Sequence, residues 1–595
     1  MPFSQDFLEE RPDLVGFLKG FKTNSVFVLS MIVLFVSFVV FFQFGRIDYD
    51  KKETRDGREV GVGVFATPKK DDKGNLLADQ SCIVNKDTSC NNITNQWWLA
   101  GYGQPSSLFW DENYHIASAE RYLQGKLFME PHPGLGKMFI ALGEKILNPN
   151  PNIDKSKLVG DNTGDEIPYI KNVDVQFKQG YQPKDGENPK YNFQGVRFFP
   201  TVFAWLSSLI LFYLLFWLTK NQYLAFVFSF FYIFDNAVVV HSRGAMLDST
   251  QLFFILSTLA AFVYFWQNKL FSWKSYLTLG ILVGLVISTK VNGLILAPIV
   301  LCLLFKEVRL TLADKTNELG DYLTSWIGKV AMYFGIIFLL FCGTYYVHFS
   351  IAAEPIEKNN YSGYTSDTTK KAIAEKRTGE LGYFWPQMQD HINKFMLKFQ
   401  EGVPKWDPTK GQSENGSLPF TWPVGVKPIR YSAHRSGSCA TKPYPADCRF
   451  SYLYLLPNLV AWVGALAGIL LSLALIAGKF LFGLEIKDKN QFFFISLFSG
   501  FYIAYMVAIS RIDRVMYLYH YLIPLIFATI SAALITNYIL ANRSRKVQVW
   551  TLTILFFLVT AWFVYYAPFT YRLDMSPADF EIKNWNKYWN LMMDF

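Results

Sequence analysis

Apolar stretches long enough to cross a bilayer as a helix recur from one end of this chain to the other. They lie near 25–44, 196–218, 222–241, 249–267, 275–290, 292–305, 330–349, 455–478, 491–510, 518–540 and 549–567, about eleven in all by the bilayer-length criterion. Inside lipid the backbone must satisfy its own hydrogen bonds, and runs of this length do so as helices. The expected fold is an all-α polytopic membrane protein. The fifth and sixth runs are short and meet at Lys290-Val291-Asn292-Gly293, which predicts a broken or re-entrant pair. Composition agrees, with 51% hydrophobic, 17% aromatic and only 18% charged residues.

Charge sets the orientation. The net charge of +9 invites a nucleic-acid partner, but no basic-aromatic module is present, so none is expected. Much of the excess sits in short loops. Lys220, Lys269, Lys274, Lys306, Arg309, Lys329, Lys479, Lys487, Lys489, Arg543, Arg545 and Lys546 fall on one side if the N-terminus is cytoplasmic. An odd span count then puts the C-terminus outside. The run from Ser25 to Phe44 reads as a retained first helix, because its leader carries acids as well as bases and no small-residue cleavage site follows.

The expected organisation is a cytoplasmic segment 1–24 and a catalytic transmembrane module 25–349 with a first outer loop 45–195. An outer loop or small cap 350–454, a four-helix module 455–567 and an outer tail 568–595 complete the chain. Cys82 with Cys90, and Cys439 with Cys448, are local pairs in the two outer loops, as expected of disulfides in an oxidising compartment. Leu135 to Leu147 reads as an interfacial helix, and the polar stretch 148–192 as irregular.

The first outer loop carries the densest chemistry, FWDENYHIASAERYLQGKLFMEPHPGLGK from Phe109 to Lys137. Asp111 and Glu112 are adjacent, so on a helix they point about 100° apart. One catalytic carboxylate, Asp111, and one supporter, Glu112, is the economical reading. His115 follows Asp111 by one helical turn, and His132 and Lys137 bracket a Pro/Gly turn. A divalent metal held by His115 with either acid is a weak signal, and no cofactor is expected to be required. Ionisable groups near membrane depth are costly and mark function. Arg197, Arg243, Lys290 and Arg514 map to the same side as Asp111, with Asp248 and His520 beside them. Snorkelling accounts for any single cation at a helix end. Several converging cations instead suit a phosphate, whose oxygens a guanidinium fork matches.

At this point the residues resemble a family. The Phe109–Lys137 stretch is similar to the first outer loop of protein O-mannosyltransferases, with its Asp-Glu pair and its His-Pro-Pro-x-Gly-Lys turn. VRFFPTVFAWLSSLIL, FDNAVVVHSRGAMLDSTQLFF, STKVNGL, YLYLLPNLVAW and RVMYLYHYLIPL resemble further blocks of that family, in order along nearly the whole chain. Gly134 replaces the second Pro of the turn, and Glu130-Pro131 replaces the Asp before it. The central outer loop is too short for the family's β-trefoil repeat domain, so the prokaryotic type is the nearer likeness.

The resemblance implies a GT-C-type glycosyltransferase with eleven spans, N-terminus inside and C-terminus outside. It implies inverting transfer of a hexose, mannose by likeness, from a polyprenyl-phosphate carrier to Ser or Thr of exported proteins. Asp111 and Glu112 would be catalytic. Arg197, Arg243, Lys290 and Arg514 would hold the donor phosphate. His115, His132, Lys137, Asp248 and His520 would position acceptor or loop. The expected partners are the lipid-linked sugar, a protein acceptor, the bilayer and secretion machinery. The expected location is the plasma membrane, or the endoplasmic reticulum membrane in a eukaryote, with the site on the outer face. Three alternatives stand: transfer to a glycolipid or polysaccharide, a transporter or flippase of lipid-linked sugar, and a non-catalytic family member that binds lipid-linked sugar as a partner subunit.

Overall fold

The computed structural model describes residues 25–42, 51–55, 58–62, 111–161, 168–171, 175–183, 191–313, 319–354, 364–403, 405–407, 416–436, 444–445, 447–586, 588–589 and 591. Among these, nine helical segments are long and apolar enough to cross a membrane, or ten if one bent pair is counted as a span. The chain is a multi-pass membrane protein. The spans begin with α1 (Ser25–Phe42), which the Trp205 indole pins by donating to the Leu34 carbonyl at 2.8 Å. Next come α2 (Glu112–Gln124) and α3 (Leu135–Leu147) of the first loop. The first transmembrane group then runs α4 (Gln194–Thr219), α5 (Gln222–Ile233), α6 (Asn236–Ser242), α7 (Leu247–Gln267), α8 (Trp273–Thr289), α9 (Ile299–Ala313) and α10 (Leu319–Ile351).

Two interruptions shape the bundle. The break expected at Lys290 is present: its backbone is extended, and a 3-10 stretch Val291–Leu296 separates α8 from α9. A sharper break, missed in the sequence, bends the third run by 59° between α5 and α6. Asp235 sits at that bend as a helix cap, accepting from the Val238 amide at 2.9 Å and from the Trp462 indole. A carboxylate that caps a helix inside an apolar run forces the helix to restart there.

The α8–α10 crossing is tight. A Cβ at Gly280 would stand 2.9 Å from the Tyr333 carbonyl oxygen, so only glycine permits the contact. Small residues at such crossings let helix backbones approach within the bilayer, where van der Waals packing drives association.

The central loop folds as α11 (Asp367–Ala374), α12 (Leu381–Gln389), a π-helical turn Asp390–Met396 and α13 (Leu397–Gly402). It ends in β1 (Ile429–Ser436) and β2 (Arg449–Leu455), an antiparallel pair. The four-helix group α14 (Leu459–Phe482), α15 (Lys489–Ser510), α16 (Leu522–Leu540) and α17 (Arg545–Tyr565) follows, and the chain then returns to the cap. A short strand, β3 (Asp574–Met575), adds to the edge of β2, so the sheet order is β1-β2-β3. Phe450, Tyr452, Phe569, Phe580 and Trp589 bury a common core. The described residues of the outer tail expected at 568–595 pack onto the cap, where β2 alternates aromatics that they cover. The polar stretch expected to be irregular forms two short strand pairs, Ile153–Asp154 with Gln176–Phe177 and Val159–Asp161 with Pro168–Ile170. Cys448 is disulfide-bonded, while Cys82, Cys90 and Cys439 lie outside the described residues.

Gly280→Leu is expected to lower the thermal midpoint of the detergent-purified protein by overpacking the crossing, at a cost of about 1–3 kcal/mol. Gly343→Leu, where a Cβ meets nothing within 4 Å, should leave the midpoint in place, and a fluorescence melt compares the two.

Candidate active site

The paired acids of the first loop separate as soon as α2 begins. Glu112 is fully buried and held in a fork: Arg197 donates Nε to one carboxylate oxygen at 2.7 Å and Nη2 to the other at 2.6 Å. The Ala245 amide donates to the same carboxylate at 2.8 Å. Arg197 also lies over the Phe193 ring, 4.5 Å from its centroid. Expected as a separate phosphate-binding cation, Arg197 is found as half of a buried ion pair with Glu112. The pair joins α2, the start of α4 and the turn between α6 and α7.

Asp111, one residue earlier, caps α2 without spending its side chain on the cap. It is half-buried, and its carboxylate accepts from the Tyr519 hydroxyl at 3.2 Å. Burial pushes its pKa up, while the Lys290 charge, the Tyr519 hydrogen bond and His241 pull it back. The result is a carboxylate more basic than an ordinary Asp.

Around Tyr519 the structure builds a compact set of groups. Its ring stacks on His241 at 5.0 Å and on His520 at 4.3 Å, and the Lys290 ammonium lies 5.4 Å from its centroid. Lys290 donates to both oxygens of Asp248, at 2.9 and 3.0 Å. His241 Nε2 donates to Asp248 at 3.0 Å, so its Nδ1 accepts from the Tyr431 hydroxyl at 2.6 Å. Asp248 therefore anchors Lys290 and fixes the His241 tautomer. Arg243 is buried with its guanidinium 5.1 Å from the Tyr571 ring centroid.

The Pro/Gly turn closes the other wall. Lys137 is buried in an ion pair with Glu130 and bonds Ser118 Oγ at 3.3 Å. Glu130 also accepts from the His132 amide at 3.2 Å and from Ser118 Oγ at 3.1 Å. Gly134 stands where the family pattern has proline, and a Cβ there would come within 2.5 Å of the Tyr122 hydroxyl. That hydroxyl is fixed against His348 Nδ1 at 2.8 Å, so the local packing demands the smaller residue. His115 donates Nδ1 to the Ala245 carbonyl at 2.9 Å, which makes it a brace for the same turn Glu112 grips.

Burial holds His132 well below the usual histidine range, and the charges of Lys290, Lys137 and Arg514 add to the effect. His132 therefore stands as a neutral imidazole in an electropositive corner. Burial also lowers Lys137, against the pull of Glu130. His520 Nδ1 lies 3.0 Å from the Tyr517 carbonyl oxygen, with the Trp422 ring stacked 6.1 Å away. Among the described residues no three His, Cys, Asp or Glu side chains converge as metal ligands.

Asp111, Lys290, Asp248, His132, Lys137, Arg514 and His520 thus share one neighbourhood. Glu112, Arg197 and His115 form its scaffold. Tyr519, Tyr431 and Glu130 were missed as site residues. A tyrosine in an apolar run gives no signal of a contact 408 positions away.

Two family models match this chain: dolichyl-phosphate-mannose-protein mannosyltransferase over 97–172 and 172–353, and the C-terminal four-helix region of protein-O-mannosyltransferase over 384–589. The chain belongs to the protein O-mannosyltransferase family. Among its relatives, dolichyl-phosphate-mannose–protein mannosyltransferase 6 of Saccharomyces cerevisiae is 24% identical over 45% of this chain and 32% of its own. Mannosyltransferase 1 of the same yeast is 24% identical over 42% of this chain and 28% of its own. The matched part thus spans about a third of each curated relative's length. The solved S. cerevisiae Pmt1–Pmt2 complex bound to its sugar donor superposes with a TM-score of 0.65 at 13% identity, covering 91% of this chain and 96% of that one. The family's GT-C-type fold is therefore the fold of this chain.

Arg197→Met is expected to cost about 3–5 kcal/mol by leaving Glu112 buried without its cation. The double variant Glu112→Gln/Arg197→Met should recover most of that loss, and thermal midpoints of the three proteins read it.

Proposed function

We propose that this protein transfers mannose from a polyprenyl-phosphate carrier to Ser or Thr hydroxyls of exported polypeptides, with inversion at the anomeric carbon. The observation that carries the reading is the division of labour between the two acids. Glu112 is locked by Arg197, whereas the Asp111 carboxylate accepts only a long hydrogen bond from the Tyr519 hydroxyl among the described contacts, at 3.2 Å. In the proposed step the acceptor hydroxyl gives its proton to Asp111 as its oxygen attacks the anomeric carbon. The bond from that carbon to the phosphate oxygen breaks, and the polyprenyl phosphate leaves with the electron pair. A phosphate leaves without help from a strong acid. Lys290, Arg243 and Arg514 would stabilise the charge gathering on it, with His132 and His520 at its edge. Arg197 contributes by holding Glu112 and through it the start of α2. Asp248 contributes by anchoring Lys290. The positive charge comes from side chains, and no role is assigned to a metal ion.

The site is proposed to face the outer side of the plasma membrane, or the lumen of the endoplasmic reticulum in a eukaryote. The support is charge: Lys220, Lys269 and Lys274 lie at span ends away from Asp111. Acceptors would then arrive as unfolded chains from the export machinery.

Asp111→Asn should cut transfer from radiolabelled polyprenyl-phospho-mannose to a Ser/Thr peptide by about 10²–10⁴-fold with the melt unchanged. Transfer at full rate in that variant removes Asp111 as base, and label appearing only in glycolipid removes the protein acceptor. Tyr519→Phe tests the partner. The hydroxyl lowers the Asp111 pKa, so its loss raises that pKa and moves the acid limb of the kcat/KM profile to higher pH. An unmoved limb excludes the coupling.

A further inference from the structure

At the end of the bundle away from Asp111, a cavity of about 490 Å³ opens between α4, α7, α9 and α15. It is lined by Trp217, Lys220, Tyr264, Gln267, Lys306 and Asn490, with Asn268 at its rim. No carboxylate is among these lining residues. Both ammonium groups bond neutral oxygens: Lys220 donates to Gln267 Oε1 at 2.8 Å, and Lys306 to the Trp266 carbonyl. Among the described residues neither lysine makes an ion pair with an acid. Asp488, the acid closest in sequence to Asn490, spends its carboxylate capping α15 at the Gln491 amide, 2.8 Å away.

Helix-end chemistry explains only part of this. Lys220 is the C-cap of α4, where a cation offsets the negative end of the helix dipole. Lys306 lies inside α9, away from either terminus, and reaches back over the Trp266 ring at 4.4 Å. Asn490 holds that indole by accepting from its Nε1 at 3.0 Å, and Phe493 stacks on it at 4.2 Å. The Lys306 cation is therefore aimed and braced. Trp217 and Tyr264, with ring centroids 5.4 Å apart, line a wall of the cavity and belong to the spans α4 and α7. Two cations without an acid, amide donors and aromatic walls at a membrane end make a receptor for a phosphate on a lipid.

We propose that this cavity binds the headgroup phosphate of an anionic phospholipid of the leaflet opposite the Asp111 site, with Lys220 and Lys306 as its cations. The acyl chains would run down the outer faces of α4 and α7. This site is separate from the donor site and does not depend on the transferase reading.

The test uses the full chain in nanodiscs of phosphatidylcholine, with and without phosphatidylglycerol. Native mass spectrometry reads the ratio of bound lipids, and a thermal melt reads stabilisation. The wild type should enrich phosphatidylglycerol and melt higher in its presence. Lys220→Ala/Lys306→Ala should lower the enrichment about thirtyfold, at about fivefold per lysine, and lose the melting shift. Lys220→Arg/Lys306→Arg should keep both, as should Lys274→Ala, an exposed lysine outside the cavity. Equal enrichment in the double-alanine protein and the wild type overturns the proposal. So does a melting shift that inorganic phosphate reproduces in full, since the ligand is then a soluble phosphate. A double-alanine protein that melts like the wild type in pure phosphatidylcholine shows that any loss is binding and not folding.

Discussion

The bidentate contact between Glu112 and Arg197 is the interaction on which the site's geometry depends. It joins the first turn of α2, the first turn of α4 and the turn after α6, three places that the chain visits far apart. Taking two charges out of water costs several kcal/mol per ion before any attraction is counted. Such a pair is a poor way to add stability, and its return here is direction. With both carboxylate oxygens fixed by a guanidinium fork and one also by the Ala245 amide, α2 has a single starting orientation. Asp111 then has one place to be, opposite Tyr519.

The same rule of closed charge sets organises the surroundings. Asp248 satisfies Lys290 and His241, and Glu130 satisfies Lys137. Each set removes a charge from the low-dielectric interior while leaving one end near Asp111. Lys290 is the clearest case, since it is neutralised at Asp248 yet presents its ammonium over the Tyr519 ring. An arriving phosphate would meet cations already held in place, at little cost in side-chain entropy.

Much of this was legible in the sequence. Long apolar runs located the spans, because a bilayer leaves the backbone no alternative to a helix, although nine or ten rather than eleven qualify among the described residues and α10 begins at Leu319, well before the run 330–349. The split of Asp111 from Glu112 followed from helical geometry alone. What escaped was pairing. Arg197 carries the same letter whether it faces a phosphate or a buried Glu, and only the fold reveals that Glu112 is there. The bend at Asp235 escaped for a related reason: the run 222–241 has the composition of one span, and the Asp235 carboxylate that caps the restarted helix is also held by the distant Trp462 indole. The cap sheet was hidden because β3 is only two residues long and pairs with a strand more than a hundred positions earlier.

The lengths of the helices suggest how a lipid reaches this site. α8 has 17 residues, about 25 Å at the helical rise per residue, whereas the hydrocarbon layer is about 30 Å thick. The bent α5–α6 unit likewise surrenders length to its 59° turn. Both shortened elements end beside the site, at Lys290 and at the α6–α7 turn that holds Arg243. Full-length spans would put those cations out in water, where counter-ions screen them. Shortened ones would hold them nearer the depth of a lipid phosphate, with the tail of the proposed polyprenyl donor still in the bilayer. Under the proposed function, the helix breaks would be the means by which the site is set at the depth of a lipid-linked donor.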